Sequence, residues 1–247
     1  MKIFITGGTT GIGLAIAKKY LEEGHSVGVC GRDPSKLDQD VKSKYPKLQV
    51  YKADVTDREE LISAVDSFSE GRLDLMLANA GRSVGSKNKE PDFKASRAVI
   101  EINVLGVLNT FEAALKNMLP NKSGHLAAIA SVAGMVGLPG ASSYSASKAA
   151  VIKLCESYSL DLGQWGINVS CIAPGFIDTP LTKKNDHDMP WLMDVDVAAT
   201  KIKKALDNKK ELYVFPWQMK TVIYFLDRMP RWMYRRVMRL PMVNYSK

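Results

Sequence analysis

Tyr144 and Lys148 stand four residues apart in the run Tyr144-Ser145-Ala146-Ser147-Lys148, a spacing that stacks two side chains one turn apart on a helix face. A free tyrosine has a pKa of about 10, too high for ready proton exchange near neutrality. A neighbouring ammonium favours the phenolate and lowers that value, which makes the pair a candidate general acid or base. The spacing alone carries little weight, because nine tyrosines and 24 lysines in 247 residues yield about one such pair by chance. An exposed helix with an unrelated Tyr and Lys accounts for it equally well. The surrounding elements have to decide.

The first of these is a glycine-rich turn. Met1 to Thr6 reads as a buried strand, Gly7-Gly8-Thr9-Thr10-Gly11-Ile12-Gly13 follows at once, and an apolar helical pattern runs on to Gly24. A strand, a glycine turn and a helix in this order form the setting of a dinucleotide site, with helix-start amides facing a pyrophosphate. The spacing Gly7-x-x-x-Gly11-x-Gly13 differs from the commoner Gly-x-Gly-x-x-Gly, and a structural turn without ligand would share it.

Further strands are predicted at Ser26–Cys30, Leu48–Lys52, Leu73–Leu77, His125–Ala130, Ile167–Ile172 and Glu211–Phe215. Between them lie helical patterns, including a long one through Ile102, Val107 and Leu115 and another over Ser143–Gly163. Continuously apolar strands alternating with helices predict a parallel sheet covered on both faces. The expectation is an α/β fold: a single doubly wound Rossmann-like domain. Residues 1–215 form its dinucleotide-binding and catalytic body, and 216–247 a basic, aromatic extension of it.

Thr6-Gly7-x-x-x-Gly11-Ile12-Gly13, Asn79-Ala80-Gly81, Asn103, Ser131, Tyr144-x-x-x-Lys148 and Pro174-Gly175 occur in this order. This set resembles the short-chain dehydrogenase/reductase family, over roughly residues 1–215. The resemblance implies a mostly parallel seven-stranded sheet ordered 3-2-1-4-5-6-7. It implies an oxidoreductase that moves a hydride between a nicotinamide and a carbonyl or secondary alcohol. Catalytic roles would fall to Tyr144 as proton donor or acceptor, Lys148 lowering the Tyr144 pKa and bonding the nicotinamide ribose, Ser131 bonding the substrate oxygen, and Asn103 holding a relay water. Each of these has a plainer reading alone: Ser131 as a strand-end cap, Asn103 as a locally bonded helix residue.

The cofactor contacts implied are Gly7, Thr9, Thr10, Gly11, Ile12, Gly13, Arg32, Asp54, Val55, Asn79, Ala80, Gly81, Tyr144 and Lys148, with Pro174, Gly175, Ile177 and Thr179 at the nicotinamide end. Members that prefer NAD usually carry an Asp after the second strand; here Gly31 and Arg32 follow it. A guanidinium suits a phosphate through paired hydrogen bonds, so NADP(H) is expected over NAD(H). Asp33 beside it is expected to start the next helix with Pro34. Two departures stand out: Ala78 precedes Asn79 where many members have a second Asn, and the chain continues past Phe215.

The loops after Ser131 and after Gly175 supply Met135, Val136, Leu138, Phe176, Leu181, Trp191 and Met193, which predicts an apolar small-molecule substrate, although part of this set could equally be core. The net charge is +8. From residue 218 onward seven cations (Lys220, Arg228, Arg231, Arg235, Arg236, Arg239, Lys247) face Asp227 alone. With Trp217, Phe225 and Trp232 among them, residues 217–240 read as an amphipathic helix on an anionic membrane, as a lid or subunit contact, or as an ordinary packed helix. No nucleic-acid recognition motif accompanies the charge. A homodimer or homotetramer is a family-level expectation.

Cys30, Cys155 and Cys171 sit in apolar segments without metal-ligand spacing, and three scattered histidines form no cluster, so free buried thiols and no metal are expected. No run reaches the ~18 apolar residues of a membrane span. Lys2–Gly8 is too short and glycine-broken for a signal peptide. A cytoplasmic location, with peripheral membrane contact through the tail as the variant, is the expectation.

Overall fold

The apolar runs of the inner strands stay continuous because both of their faces are covered, whereas the edge strands, Leu48–Lys52 and Leu212–Phe215, are partly exposed. The computed structural model describes residues 1–83, 91–184 and 188–240. Seven strands, β1 (Lys2–Thr6), β2 (Ser26–Gly31), β3 (Leu48–Lys52), β4 (Leu75–Ala78), β5 (Gly124–Ile129), β6 (Ile167–Pro174) and β7 (Leu212–Phe215), pair in parallel in the order β3-β2-β1-β4-β5-β6-β7. This is the expected order. Most of the loop expected over Arg82–Pro91, and the residues beyond 240, lie outside the described residues.

One face of the sheet carries α1 (Gly11–Glu22), α2 (Gln39–Lys44) and α7 (Val195–Asp207), packed through Ile16, Tyr20, Ile202 and Leu206 onto Ile3, Ile5 and Leu77. The other carries α3 (Arg58–Ser69), α5 (Gly106–Asn121) and α6 (Ser142–Leu162), packed through Phe68, Phe111, Met118 and Val151 onto Phe4, Met76 and Leu126. Asp57 starts α3 by accepting from the Glu60 amide at 3.0 Å, a standard N-cap bond. Cys30, Cys155 and Cys171 are buried, free thiols.

The helix expected through Ile102, Val107 and Leu115 is interrupted. α4 (Phe93–Ile100) passes into a π-helical turn, Glu101–Leu105, before α5 begins. Gly106 crosses Val55 so closely that a methyl there would lie 2.7 Å from Val55 Cγ2. The π turn rotates the chain and places Asn103 inside the molecule, fully buried; such turns often occur at functional sites. By length and hydropathy the run Phe93–Asn121 could cross a membrane, but Val99, Val107, Phe111 and Met118 are spent on the core.

The tail folds into α8 (Trp217–Arg228) and α9 (Arg231–Val237), separated at Pro230. Met219 of α8 fills the space beside Gly175, where a methyl would meet its sulfur at 2.2 Å. The Tyr234 hydroxyl of α9 donates to the Gly137 carbonyl. The tail is thus tied to both loops that follow Ser131 and Pro174.

Candidate active site

At the C-terminal ends of β1 and β4 the backbone is stitched together by side chains. Asn79 Nδ2 donates to the carbonyls of Thr6 and Gly7, both at 3.0 Å. Thr6 Oγ1 accepts from the amides of Asn79 and Ala80 at 3.1 and 3.3 Å. Gly7 has φ +63°, a left-handed conformation that glycine adopts without cost. A methyl on Gly13 would sit 2.5 Å from Asn79 Nδ2 and 2.6 Å from the Gly7 carbonyl. The glycine spacing is therefore dictated by this clamp, with Ile12 packed into the adjoining core. Thr6 heads the motif quoted from the sequence, but its role as clamp was not expected there.

The turn opens onto α1 in a form suited to an anion. Thr10 occupies the N-cap with no side-chain cap bond, and the first turn holds no acid. Uncapped helix-start amides and the positive end of the dipole favour a phosphate. Gly11 faces Thr179 across the turn, 3.8 Å from where its Cβ would be. Thr9 is buried, its hydroxyl 3.0 Å from the same point on Gly31. These residues fit a dinucleotide pyrophosphate.

Beyond Gly31 the Arg32 side chain is exposed and in no ion pair among the described residues. Asp33 turns away: its Oδ1 accepts from the Ser35 amide at 3.1 Å and hydroxyl at 2.5 Å, capping the turn Pro34–Lys36. Those bonds hold its carboxyl below the usual range. Asp54 accepts from the Thr56 amide and hydroxyl, and Asn109 Nδ2 donates to the Val55 carbonyl at 2.8 Å. These two expected cofactor contacts are held in place from two sides.

The four expected catalytic residues come from three places in the chain, the π turn, the end of β5 and α6, and meet above β4 and β5. Lys148 is buried and its Nζ donates to the Ile129 carbonyl at 2.7 Å. The same Nζ lies 5.8 Å from the Tyr144 ring centroid. The Ser131 hydroxyl accepts from the Ala133 amide at 3.1 Å and lies close enough to the Tyr144 phenol to favour its ionised form. Asn103 Nδ2 donates to the Arg82 carbonyl at 2.9 Å and to Ser147 Oγ at 3.0 Å, while its Oδ1 accepts from the Arg82 amide at 2.8 Å. Ser147 Oγ in turn donates to the Tyr144 carbonyl at 2.7 Å. Gly81 brings Asn103 and Lys148 together, its Cβ position 3.5 Å from Asn103 Oδ1 and 3.7 Å from Lys148 Nζ. Ser147, absent from the expected set, couples Asn103 to the Tyr144 backbone; its signal was position i+3 from Tyr144.

The electrostatics differ from the first expectation. Burial raises the Tyr144 pKa, and the Ser131 hydroxyl only partly opposes this. Burial also pushes the Lys148 ammonium down to about 8. Lys148 is held by a strand-end carbonyl rather than by the phenol. In the protein itself Tyr144 is therefore a protonated acid at neutral pH, beside an amine able to exchange protons near neutrality.

Pro174 pairs with Phe215 at the end of β7, and the Gly175 amide donates to the Phe215 carbonyl at 2.8 Å. Ile177 is buried, and the Thr179 amide donates to Thr182 Oγ1 at 2.9 Å. Five of the seven expected substrate-loop residues line two cavities, and Phe176 and Leu181 line neither. Met135, Val136 and Leu138 line one of about 730 Å³ closed by α9. Trp191 and Met193 line another of about 580 Å³ against β7 and α8.

The family model for short chain dehydrogenase matches residues 1–190. The chain is 35% identical over 223 residues to an uncharacterized oxidoreductase of Myxococcus xanthus, covering 87% of each chain. It superposes on the structure of ElxO with NADP bound at a TM-score of 0.77 and 27% identity, covering 86% of this chain and 96% of the other. It also matches a short chain dehydrogenase from Burkholderia cenocepacia in complex with NADP at 0.84 and 24% identity, over 97% and 98%. The chain belongs to the short-chain dehydrogenase family. It is an oxidoreductase of that family.

Proposed function

We propose that this oxidoreductase prefers NADP(H) and transfers hydride between the nicotinamide and a carbonyl or secondary alcohol of an apolar small molecule. The observation that carries the chemistry is the meeting of the Ser131 hydroxyl and Lys148 ammonium on the Tyr144 side chain. When bound, the cofactor supplies or accepts the hydride. Tyr144 Oη gives its proton to the substrate oxygen during reduction. Ser131 donates to the same oxygen and stabilises the charge developing there. Lys148, near pKa 8, is matched to return a proton to Tyr144 at working pH. Asn103 and Ser147 fix the helix turn that carries both groups.

The NADP preference is supported by the exposed Arg32 and by the withdrawal of the Asp33 carboxylate into its own cap. ElxO, solved with NADP bound, agrees. Absorbance at 340 nm should show NADPH oxidation with apolar ketones or aldehydes, reduced about 10²–10⁴-fold in Tyr144→Phe with NADPH binding retained. In Arg32→Asp the NADPH/NADH ratio of kcat/KM should fall about 10- to 100-fold, the worth of a charged hydrogen bond. An unchanged ratio would remove Arg32 from the phosphate site; full turnover in Tyr144→Phe would remove Tyr144 from the chemistry.

A further inference from the structure

The tail carries exposed rings and cations. Of these, Trp217 and Lys220 rim one of the two cavities above and Arg231, Arg235 and Arg239 the other, while Phe225, Arg228, Trp232 and Arg236 line neither. Of the apolar residues in α8 and α9 and the turn after them, Ile223 and Met238 are buried against the body. Trp217 is 72% exposed, and Phe225 and Trp232 are each 64% exposed. Val222, Tyr224, Met233 and Leu240 are also exposed. Interspersed with them are Lys220, Arg228, Arg231, Arg235, Arg236 and Arg239, all exposed, against the single acid Asp227. Asp227 lies 3.9 Å from Arg228, whose guanidinium stacks on the Tyr224 ring at 3.7 Å. Among the described residues the other five cations make no ion pair.

We propose that α8 and α9 dock this enzyme on an anionic phospholipid surface. Tryptophan and phenylalanine bury their rings at the headgroup level of a bilayer. Arginines around them are attracted to anionic headgroups within a Debye length. Charge selects this occupant over a second copy of the chain. A self-pairing face would bring two sets of these cations together across a desolvated contact, with Asp227 of each already engaged by Arg228. The inner side of the tail stays fixed to the body through Met219 at Gly175 and Tyr234 at Gly137. Docking therefore needs no unfolding of the tail, and it does not depend on the catalytic reading.

The test is sedimentation of the full chain with vesicles of equimolar phosphatidylglycerol and phosphatidylcholine, with pure phosphatidylcholine vesicles alongside. The protein should pellet with the anionic vesicles, remain in the supernatant with the neutral ones, and be released by high salt. Replacing the three exposed rings (Trp217→Ala, Phe225→Ala, Trp232→Ala) should weaken partitioning at least tenfold. NADPH binding by the triple variant verifies that it is folded. Wild-type protein left in the supernatant with anionic vesicles would overturn the proposal. So would wild-type-like pelleting of the triple variant, which would mean adsorption by charge alone. Light scattering that shows a dimer lost in the triple variant, with no vesicle binding by either form, would assign the face to a second copy and overturn it equally.

Discussion

In the turn from Gly7 to Gly13 the close contacts are made by the molecule to itself: Asn79 to two carbonyls, Thr6 to two amides, and Gly13 against both. In the tail from Trp217 to Leu240 the large rings and cations are exposed to solvent. Both regions carry chemistry suited to phosphates, helix amides in one and guanidinium groups in the other. They differ in what fixes the residue at each position. In the turn a backbone contact permits only one side chain, so identity is tied to fold. In the tail the fold tolerates many side chains, and identity answers to whatever lies outside.

The largest break in this comparison should come from Gly13→Ala. The added methyl has no space between Asn79 Nδ2 and the Gly7 carbonyl, so the turn must open. Overpacking of this kind costs about 1–3 kcal/mol, and the displaced amides should weaken NADPH binding at least about tenfold, readable by fluorescence titration and urea unfolding together. Retention of wild-type affinity would show that the clamp is not what shapes the phosphate site.

Acid unfolding sharpens the same contrast from inside the core. His125 is buried in β5, its Nε2 2.8 Å from Ser170 Oγ of β6, and burial pushes its pKa down to about 4. The unfolded chain takes up this proton first, near pH 6.5. Stability from the neutral imidazole is therefore complete above pH 6.5 and is lost as pH falls toward 4, about 3 kcal/mol in all. Urea midpoints at several pH values in that window, for wild type and His125→Asn, measure it. An identical acid slope in both proteins would place the sensitivity elsewhere.

The same division explains what the sequence could disclose. Strands buried on both faces, such as Ile3-Phe4-Ile5 and Leu126-Ala127-Ala128, leave continuous apolar runs, and the glycine turn leaves its spacing. The strands and the dinucleotide turn were legible on those grounds, whereas the sheet order and the roles of Tyr144 and Lys148 came only with the family resemblance. Tertiary contacts were not. The π turn at Glu101–Leu105 ends where Gly106 meets Val55, far away in the chain. The Lys148 ammonium goes to the Ile129 carbonyl because β5 ends beneath α6, which no i,i+4 spacing reveals. The raised Tyr144 pKa follows from burial that the motif does not encode. The tail left three readings open by composition, and vesicle sedimentation is the measurement that separates them.

The smallest expected effect is the most discriminating for the tail. Trp232→Ala removes a large ring, a change that costs about 3–5 kcal/mol in a core. At 64% exposure, it should change urea stability by no more than about 0.5 kcal/mol. Measured without vesicles, that near-silence means the ring's contribution lies in contacts made to something outside the chain. A loss above about 1 kcal/mol would mean that the ring packs on the protein's own surface. The tail would then be fixed by internal contacts as the turn is, and the distinction between them would fail.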